Sequence, residues 1–520
     1  MGSYSIDFIA VTQIADSLSG VIARQYDGMY RLTQETTPQG AVSYTYDAAG
    51  RRTTLQVAGQ PVINYTWDDA NRLVQMSQGT SSIAFAYDAA GKRTKTTLAN
   101  GASMEYTYDN ANQLTQIVYK QGASVTGNVT YTYDAAGRRT GQGGTASFAS
   151  ANLPAPTTAT ALYDANNRLA SWNGATYTYD ANGNLTGDGQ KTYTWDTRNQ
   201  LQGIAGAASF AYDAFGRRIY KSANGQQTGY LYDGANFVQE KDGATVKANL
   251  LTGGIDETFQ RSTATTTSHF LTNALGSTTV QTDANGNATA TYAYDPYGNT
   301  VKTGTDANSQ TYTGREDDGT GLFYYRARYY MPSCGRFISE DPIGWASGQT
   351  NDYAYVGGDP LAFTDPMGLI CSGPETQYSL GIGGLVGGGL PPAFIFPSFF
   401  VAGSSSVGFT SNGALFVQFQ GTGAVGVGIF AGVGIQAGRS TSNSPTEAGI
   451  TSSQSLQVDV NAGFGGSVGG SYQFNTEGSG IQGSVPGRLG RLGFGVGAQA
   501  SLGVTQTATI ATPPLFGGCQ

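Results

Sequence analysis

The stretch YTYDAAGRRT, Tyr44–Thr53, decides the fold, because the same ten-residue pattern returns along most of the first 300 positions. It recurs as YTWDDANRLV from Tyr65, FAYDAAGKRT from Phe85, YTYDNANQLT from Tyr106 and YTYDAAGRRT again from Tyr131, then in looser copies as far as YAYDPYGNTV from Tyr292. The aspartates Asp27, Asp47, Asp68, Asp88 and Asp109 mark a period of about twenty residues, the signature of a repeat array. Within a unit, Tyr-Thr-Tyr sets two aromatics on one face of a strand, since successive side chains alternate. Asp followed by Ala-Ala-Gly or Ala-Asn-Gly supplies a turn containing a residue able to take positive φ. Arg-Arg-Thr or Arg-Leu-Thr opens the return strand, so each unit predicts one β-hairpin. A lone hairpin cannot bury its aromatic face, and neighbours must stack into one long sheet. The repeat Tyr and Asp residues are therefore expected to be structural, as packed aromatics and turn-capping carboxylates. The Gly-Arg-Arg and Gly-Lys-Arg pairs are expected to be solvated or paired, each offset by a nearby Asp.

Composition agrees with an all-β chain. Among 520 residues there are 75 Gly and 32 Tyr but only 17 Pro, and the aromatics supply burial that disordered segments lack. A net charge of −8 with a pI near 4.8 argues against a broad nucleic-acid grip by the main body, which needs clustered Lys and Arg. The single histidine, His269, makes a Ser-His-Asp triad or a multi-histidine metal centre improbable, and no cofactor or metal is expected. Three cysteines do not make a disulfide scaffold; Cys371 and Cys519 bracket the last segment and can pair there in an oxidising compartment. The opening MGSYSIDFIAVTQIADSLSG has no basic region followed by an apolar run. A secreted or cell-surface location would then require a route other than an N-terminal signal peptide.

The repeat resembles the YD repeat of Rhs proteins, teneurins and the C components of insecticidal Tc toxins. After Tyr294 the elements ARYYMPSCGRFISEDPIG, YAYV and DPMGL resemble the Rhs-associated core region, and SHFLTNALGSTTVQTDANGNATATYAYDPYGN resembles the family's lead-in to that core. The resemblance implies hairpins that spiral into a hollow β-shell around a polypeptide cargo, with the core plugging one end. The expected organisation is a lead-in over 1–24, a YD-repeat array over 25–305, the core over 306–369 and a variable cargo domain over 370–520.

The resemblance also implies that the chain is cut between Leu369 and Ile370, with Asp341 and Asp365 as the catalytic carboxylates and Arg328 as a supporting cation. The chemistry asks for these residue types. Two carboxylates held close cannot both ionise easily, so one keeps a proton and serves as acid while the other draws a proton from water. An Arg alongside orients one of them and separates the two pKa values. The 24-residue gap between Asp341 and Asp365 is expected to be closed by a Tyr-Ala-Tyr-Val strand. The other reading of both Asp-Pro-x-Gly units is as plain type I turns, Pro at i+1 and Gly at i+3. Asp359 is expected to be a turn residue.

From Ile370 onward the YD unit vanishes, Lys and His are absent, and no charge falls between Glu375 and Arg439. Runs such as SLQVDVNAGFG alternate large with small or polar residues and predict a Gly-rich antiparallel β-domain. Such alternation fits a soluble sandwich or barrel and also a membrane-inserting β-structure. The clustered His, Glu, Lys or Cys of nuclease and deaminase chemistry are not visible there. The whole reads as a polymorphic toxin carrier whose partners are its own C-terminal segment, an immunity protein and secretion machinery. The rival is a non-enzymatic surface adhesion protein with exposed carbohydrate- or protein-binding hairpins and inert Asp-Pro turns.

Overall fold

The computed structural model describes residues 11–146, 159–223, 225–347 and 349–369, and beyond these the backbone pairing of strands between 375 and 511. Two compact units result, Met1–Trp345 with Gln349–Ile370, and Ala346–Gly348 with Cys371–Gln520.

In the first unit every repeat is an antiparallel hairpin built as its sequence demands. In the Tyr44 repeat, Asp47 N–H donates to Arg51 O and Gly50 N–H to Asp47 O, both at 3.0 Å, which closes the turn. The Asp47 carboxylate caps it, accepting Arg51 N–H at 2.9 Å and Arg51 Nε at 2.7 Å. Gly50 sits at φ 84°, and Asn71 holds the same left-handed corner at φ 61° where the repeat reads Ala-Asn. A bulge between Thr45 and Tyr46 lets the strand end on its turn, and it recurs in neighbouring repeats.

The repeat residues also tie each hairpin to its neighbours. Tyr46 Oη donates to Leu32 O, Trp67 Nε1 to Arg52 O and Tyr87 Oη to Leu73 O, at 2.7, 2.8 and 2.7 Å. In the other direction Arg31 and Arg72 donate to the carbonyls of the next repeat's Asp47 and Asp88. The first aromatics Tyr44, Phe85 and Tyr131 are buried in the apolar core, and Tyr65 and Tyr106 pack against it partly buried.

Stacked this way, 13 strands from Gln13–Asp16 to Arg139–Gly143 form one sheet in strict chain order, and 12 from Tyr193–Trp195 to Thr300–Gly304 form another. Small sheets of three and two strands lie between them in sequence. The strip curls back on itself. Arg198 pairs with Asp16 at 2.6 Å, Arg217 with Glu35 at 2.8 Å and Arg52 with Asp233 at 2.7 Å, at separations of 182, 182 and 181 residues. Arg93 pairs with Glu257 in the same manner. Apolar packing follows the seam: Leu55, Met76, Ile83 and Met104 of the first sheet share a buried cluster with Leu231, Leu251, Phe259 and Leu271 of the second. A spiralling β-shell is thus the architecture of this unit.

The arginine pairs divide their labour in a way the repeat alone does not disclose. The first, as in Arg51, serves its own turn. The second points into the seam: Arg52 finds its acid 181 residues away and stacks over Tyr44 at 4.9 Å. Arg218, at the same place in FAYDAFGRRI, is fully buried rather than solvated. Its guanidinium meets Asp318 and, at 2.6 Å, Glu316, stacks over Tyr324 at 4.1 Å, and receives further support from Lys221, which binds Asp318 at 2.9 Å. Array and core segment are thereby locked together.

The core segment is a four-stranded sheet, Glu316–Asp317, Phe323–Tyr325, Arg328–Met331 and Arg336–Phe337. Tyr312, Phe323, Tyr325, Tyr330, Phe337 and Tyr355 interlock as a buried aromatic cluster upon it. The strand expected over Tyr-Ala-Tyr-Val does not form. Only one bridge, Arg336 to Ala354, is made, and Val356–Gly358 is a 3-10 turn with Val356 at φ 42°. Tyr353 and Tyr355 are both buried, one donating to Gly183 O and the other meeting Tyr325 Oη, but the left-handed backbone at Val356 and Gly357, φ 42° and 65°, turns the chain out of the extended path of a strand. Asp359 is a turn residue, its carbonyl accepting Phe363 N–H.

In the second unit the strands Glu375–Gly388, Ser398–Thr410, Leu415–Ser442, Gly449–Phe464, Gly466–Asn475 and Arg488–Ala511 form one antiparallel sheet. The expected Gly-rich β-domain is present. Among the described residues no helix is long and apolar enough to cross a membrane. Ile370, Cys371 and Cys519, with the cleavage and disulfide expectations that rest on them, lie outside the described residues.

Candidate active site

Asp341, Asp365 and Arg328 come from three separate stretches and meet in the interior. Arg328 stands in the strand Arg328–Met331, held flat against the Phe337 ring with its guanidinium carbon 3.6 Å from the centroid. Arg328 is 1 % exposed, Asp341 5 % and Asp365 0 %. One nitrogen, Arg328 Nη2, faces both acids: Asp341 Oδ2 lies at 3.0 Å and Asp365 Oδ2 at 3.4 Å. The two carboxyl groups therefore share one cation.

Both Asp-Pro-x-Gly units are also turns. Gly344 N–H donates to Asp341 O at 2.9 Å and Gly368 N–H to Asp365 O at 3.3 Å. Each aspartate additionally caps its own turn, Asp341 Oδ1 receiving Ile343 N–H at 3.0 Å and Asp365 Oδ1 receiving Leu369 N–H at 2.9 Å. Turn formation and carboxylate placement are one event here, because the capping bonds fix where each acid points.

The two acids differ in electrostatics. Asp341 Oδ2 is near Arg328 but receives no aligned hydrogen bond among the described residues. Burial pushes the Asp341 carboxyl up to about 6, against the pull of Arg328 and of Ile343 N–H, and the neighbouring Asp365 and Asp352 add to the rise. Arg328 divides its remaining donors between Gly368 O through Nε and Asp352 O through Nη1 at 2.8 Å. The guanidinium thus touches both acids and the backbone one residue before Leu369.

That backbone is gripped elsewhere too. Tyr325 pairs with Arg328 across a two-residue turn in which Arg326 adopts φ 59°. Ala327 N–H donates to Met367 O at 3.1 Å, and Arg326 Nη1 donates to Pro366 O. Gly368, at φ 68°, lies so close that a Cβ there would collide with the Tyr325 carbonyl. The closing Gly of the motif is needed for this approach as well as for the turn. Leu369 is buried. Sequence reasoning brought the three charged residues together but missed Arg326, Asp256 and Phe337. Arg326 stands two residues before Arg328 in YRARYY, a visible hint, whereas Asp256 lies between recognisable repeats and carried none.

His269 is buried in the strand Thr267–Thr272, well separated in role from these acids. Burial lowers it to about 4, so it is neutral at ordinary pH. Among the described residues no group of three or more His, Cys, Asp or Glu could hold a metal ion.

The chain is 35 % identical over 172 residues to the tRNA nuclease WapA of Bacillus subtilis, which covers 31 % of this chain and 7 % of that protein. It is 38 % identical over 103 residues to the toxin subunit YenC2 of Yersinia entomophaga, covering 19 % and 10 % of the two chains. A double-stranded DNA deaminase toxin of Burkholderia cenocepacia is 30 % identical over 209 residues, 33 % of this chain and 14 % of that one. Among solved structures, the crystal structure of TcdB2-TccC3-TEV superposes with a TM-score of 0.53 at 20 % identity over 69 % of this chain and 24 % of that chain. A Photorhabdus luminescens Tc holotoxin pore gives 0.53 at 20 % identity over 68 % and 23 %. The chain spans a small fraction of the length of these curated relatives and about a quarter of the solved chains. Residues 9–149 and 149–355 match the teneurin YD-shell family model, well over half of the sequence, and the chain belongs to the teneurin YD-shell family.

Proposed function

We propose that this chain is the shell and self-processing core of a toxin carrier, which cuts itself between Leu369 and Ile370 and so frees residues 370–520 as a separate polypeptide. The observation that carries this reading is the shared cation: two buried carboxyls on one Arg328 nitrogen, with Asp365 also bonded to Leu369 N–H. Asp341, raised by burial, holds the proton. Asp365 accepts a proton from a water molecule whose oxygen adds to the Leu369 carbonyl carbon. Asp341 gives its proton to the departing Ile370 nitrogen as the C–N bond breaks, leaving a Leu369 carboxylate and a new amino terminus. Arg328 holds both acids in register and fixes the Gly368 carbonyl.

The relatives named as a toxin subunit, a nuclease and a deaminase toxin support a carrier of diverse effectors. This chain's own C-terminal unit lacks Lys and His and has three Arg, which favours a cargo whose action is not nucleic-acid chemistry. An immunity protein, secretion machinery and a secreted or cell-surface destination follow from the carrier role.

Cutting should depend on pH in a stated direction. The acid form of Asp341 prevails below about 6, so the cutting rate of freshly made chain falls as pH rises through 6. Stability follows the same sign. An unfolded carboxyl ionises near pH 4, so between about 4 and 6 the folded precursor binds the extra proton, and its stability declines as pH rises through that window. Cell-free translation quenched at intervals from pH 5 to 8 measures the rate: two chains under denaturing conditions, with the slower yield at pH 8, are expected. A single chain at every pH would remove the self-processing reading.

A further inference from the structure

The turn Arg326–Ala327 and its neighbour Arg328 hold three successive carbonyls of the closing motif. Arg326 Nη1 donates to Pro366 O, Ala327 N–H to Met367 O and Arg328 Nε to Gly368 O. Only the last of these residues touches the acids. Arg326 is instead tied to the array: Nη2 donates to Asp256 Oδ1 at 2.6 Å, Nη1 lies 3.2 Å from Asp256 Oδ2, and Nε donates to Ala235 O at 3.1 Å. Asp256 in turn is held by Arg315, and Asp256 N–H donates to Asn236 Oδ1 at 3.1 Å. All three charged side chains are nearly buried.

We propose that Arg326, anchored on Asp256, is a positioning residue for the self-cutting proposed above: it fixes the Pro366 carbonyl and through it the Asp365 carboxylate directly before that proline. The inference rests on that reading. The planar fork of Arg326 spans the Asp256 carboxylate and still reaches a carbonyl, which a lysine cannot do. It also spends a left-handed backbone at φ 59° on a non-Gly residue, a local cost consistent with a required orientation.

The test uses the full chain. A displacement of about 1 Å at a reacting group costs on the order of 10²-fold in rate. Arg326→Lys and Arg326→Met are expected to slow cutting by roughly that factor, with the pH midpoint set by Asp341 unchanged. Arg326→Ala is expected to recover in part with added guanidinium ion. Cutting of both the Lys and Met variants at the wild-type rate would overturn the proposal. If the wild type itself is not cut, the self-processing reading fails separately, and hydrogen exchange decides on Arg326. Lost protection over 365–369 in Arg326→Met then upholds the anchoring, and unchanged protection overturns it.

Discussion

Asp365→Asn, made in the full chain, is expected to leave the precursor uncut on a timescale about 10²–10⁴-fold longer than the wild type, the usual worth of a positioned acid or base. The substitution spares the turn, since the side chain keeps its size and an oxygen able to accept Leu369 N–H, the 2.9 Å bond that builds the closing turn. What it removes is a charge beside Arg328. Asp341→Asn tests the other half of the pair and carries a second expectation. The proton that Asp341 holds up to about 6 no longer matters, so the decline of stability between about pH 4 and 6 flattens. A time course of intact mass, with urea unfolding at pH 5 and pH 7, reads both effects. Wild-type cutting in both variants would detach the carboxyls from the reaction while leaving the fold untouched.

Arg218→Met is expected to lower the stability of the first unit by about 3–5 kcal/mol, the range for removing one partner of a buried ion cluster. Arg218 is 0 % exposed and sits between Glu316 and Asp318 with its guanidinium over the Tyr324 ring. Without it Asp318 keeps Lys221 at 2.9 Å, while Glu316 loses its 2.6 Å ion pair. The loss should come from the stranded charges more than from lost packing, since Met fills much of the same space. Combining Arg218→Met with Glu316→Gln and Asp318→Asn should therefore restore a large part of the stability. Urea denaturation followed by tyrosine fluorescence measures both. A single variant within 1 kcal/mol of the wild type would show that the cluster does not lock array to core.

The hairpin architecture was legible because each repeat states its own geometry. Tyr-Thr-Tyr, Asp and Gly or Asn in YTYDAAGRRT translate directly into strand, cap and left-handed corner. The spiral was less legible, because its seam is written in pairs about 180 residues apart, such as Arg52 with Asp233, and no local pattern assigns a partner at that distance. That is also why the Gly-Arg-Arg pairs read only as solvated or paired, with no acid assigned to Arg218. The Tyr-Ala-Tyr-Val strand failed for a local reason: Tyr353 and Tyr355 alternate with Ala354 as expected, but left-handed backbone at Val356 and Gly357 ends the extended run. Of the site, Asp341, Asp365 and Arg328 were found through their motifs, and the structure adds their common nitrogen. Arg326 and Asp256 escaped because their role is backbone placement, which leaves no spacing rule.

The most direct measurement is the amino-terminal residue and mass of the C-terminal fragment from freshly expressed full chain under denaturing conditions. A fragment beginning at Ile370 in the wild type, absent in Asp365→Asn, is the predicted result. An intact wild-type chain, or a fragment that begins elsewhere and persists in both aspartate variants, would contradict the account.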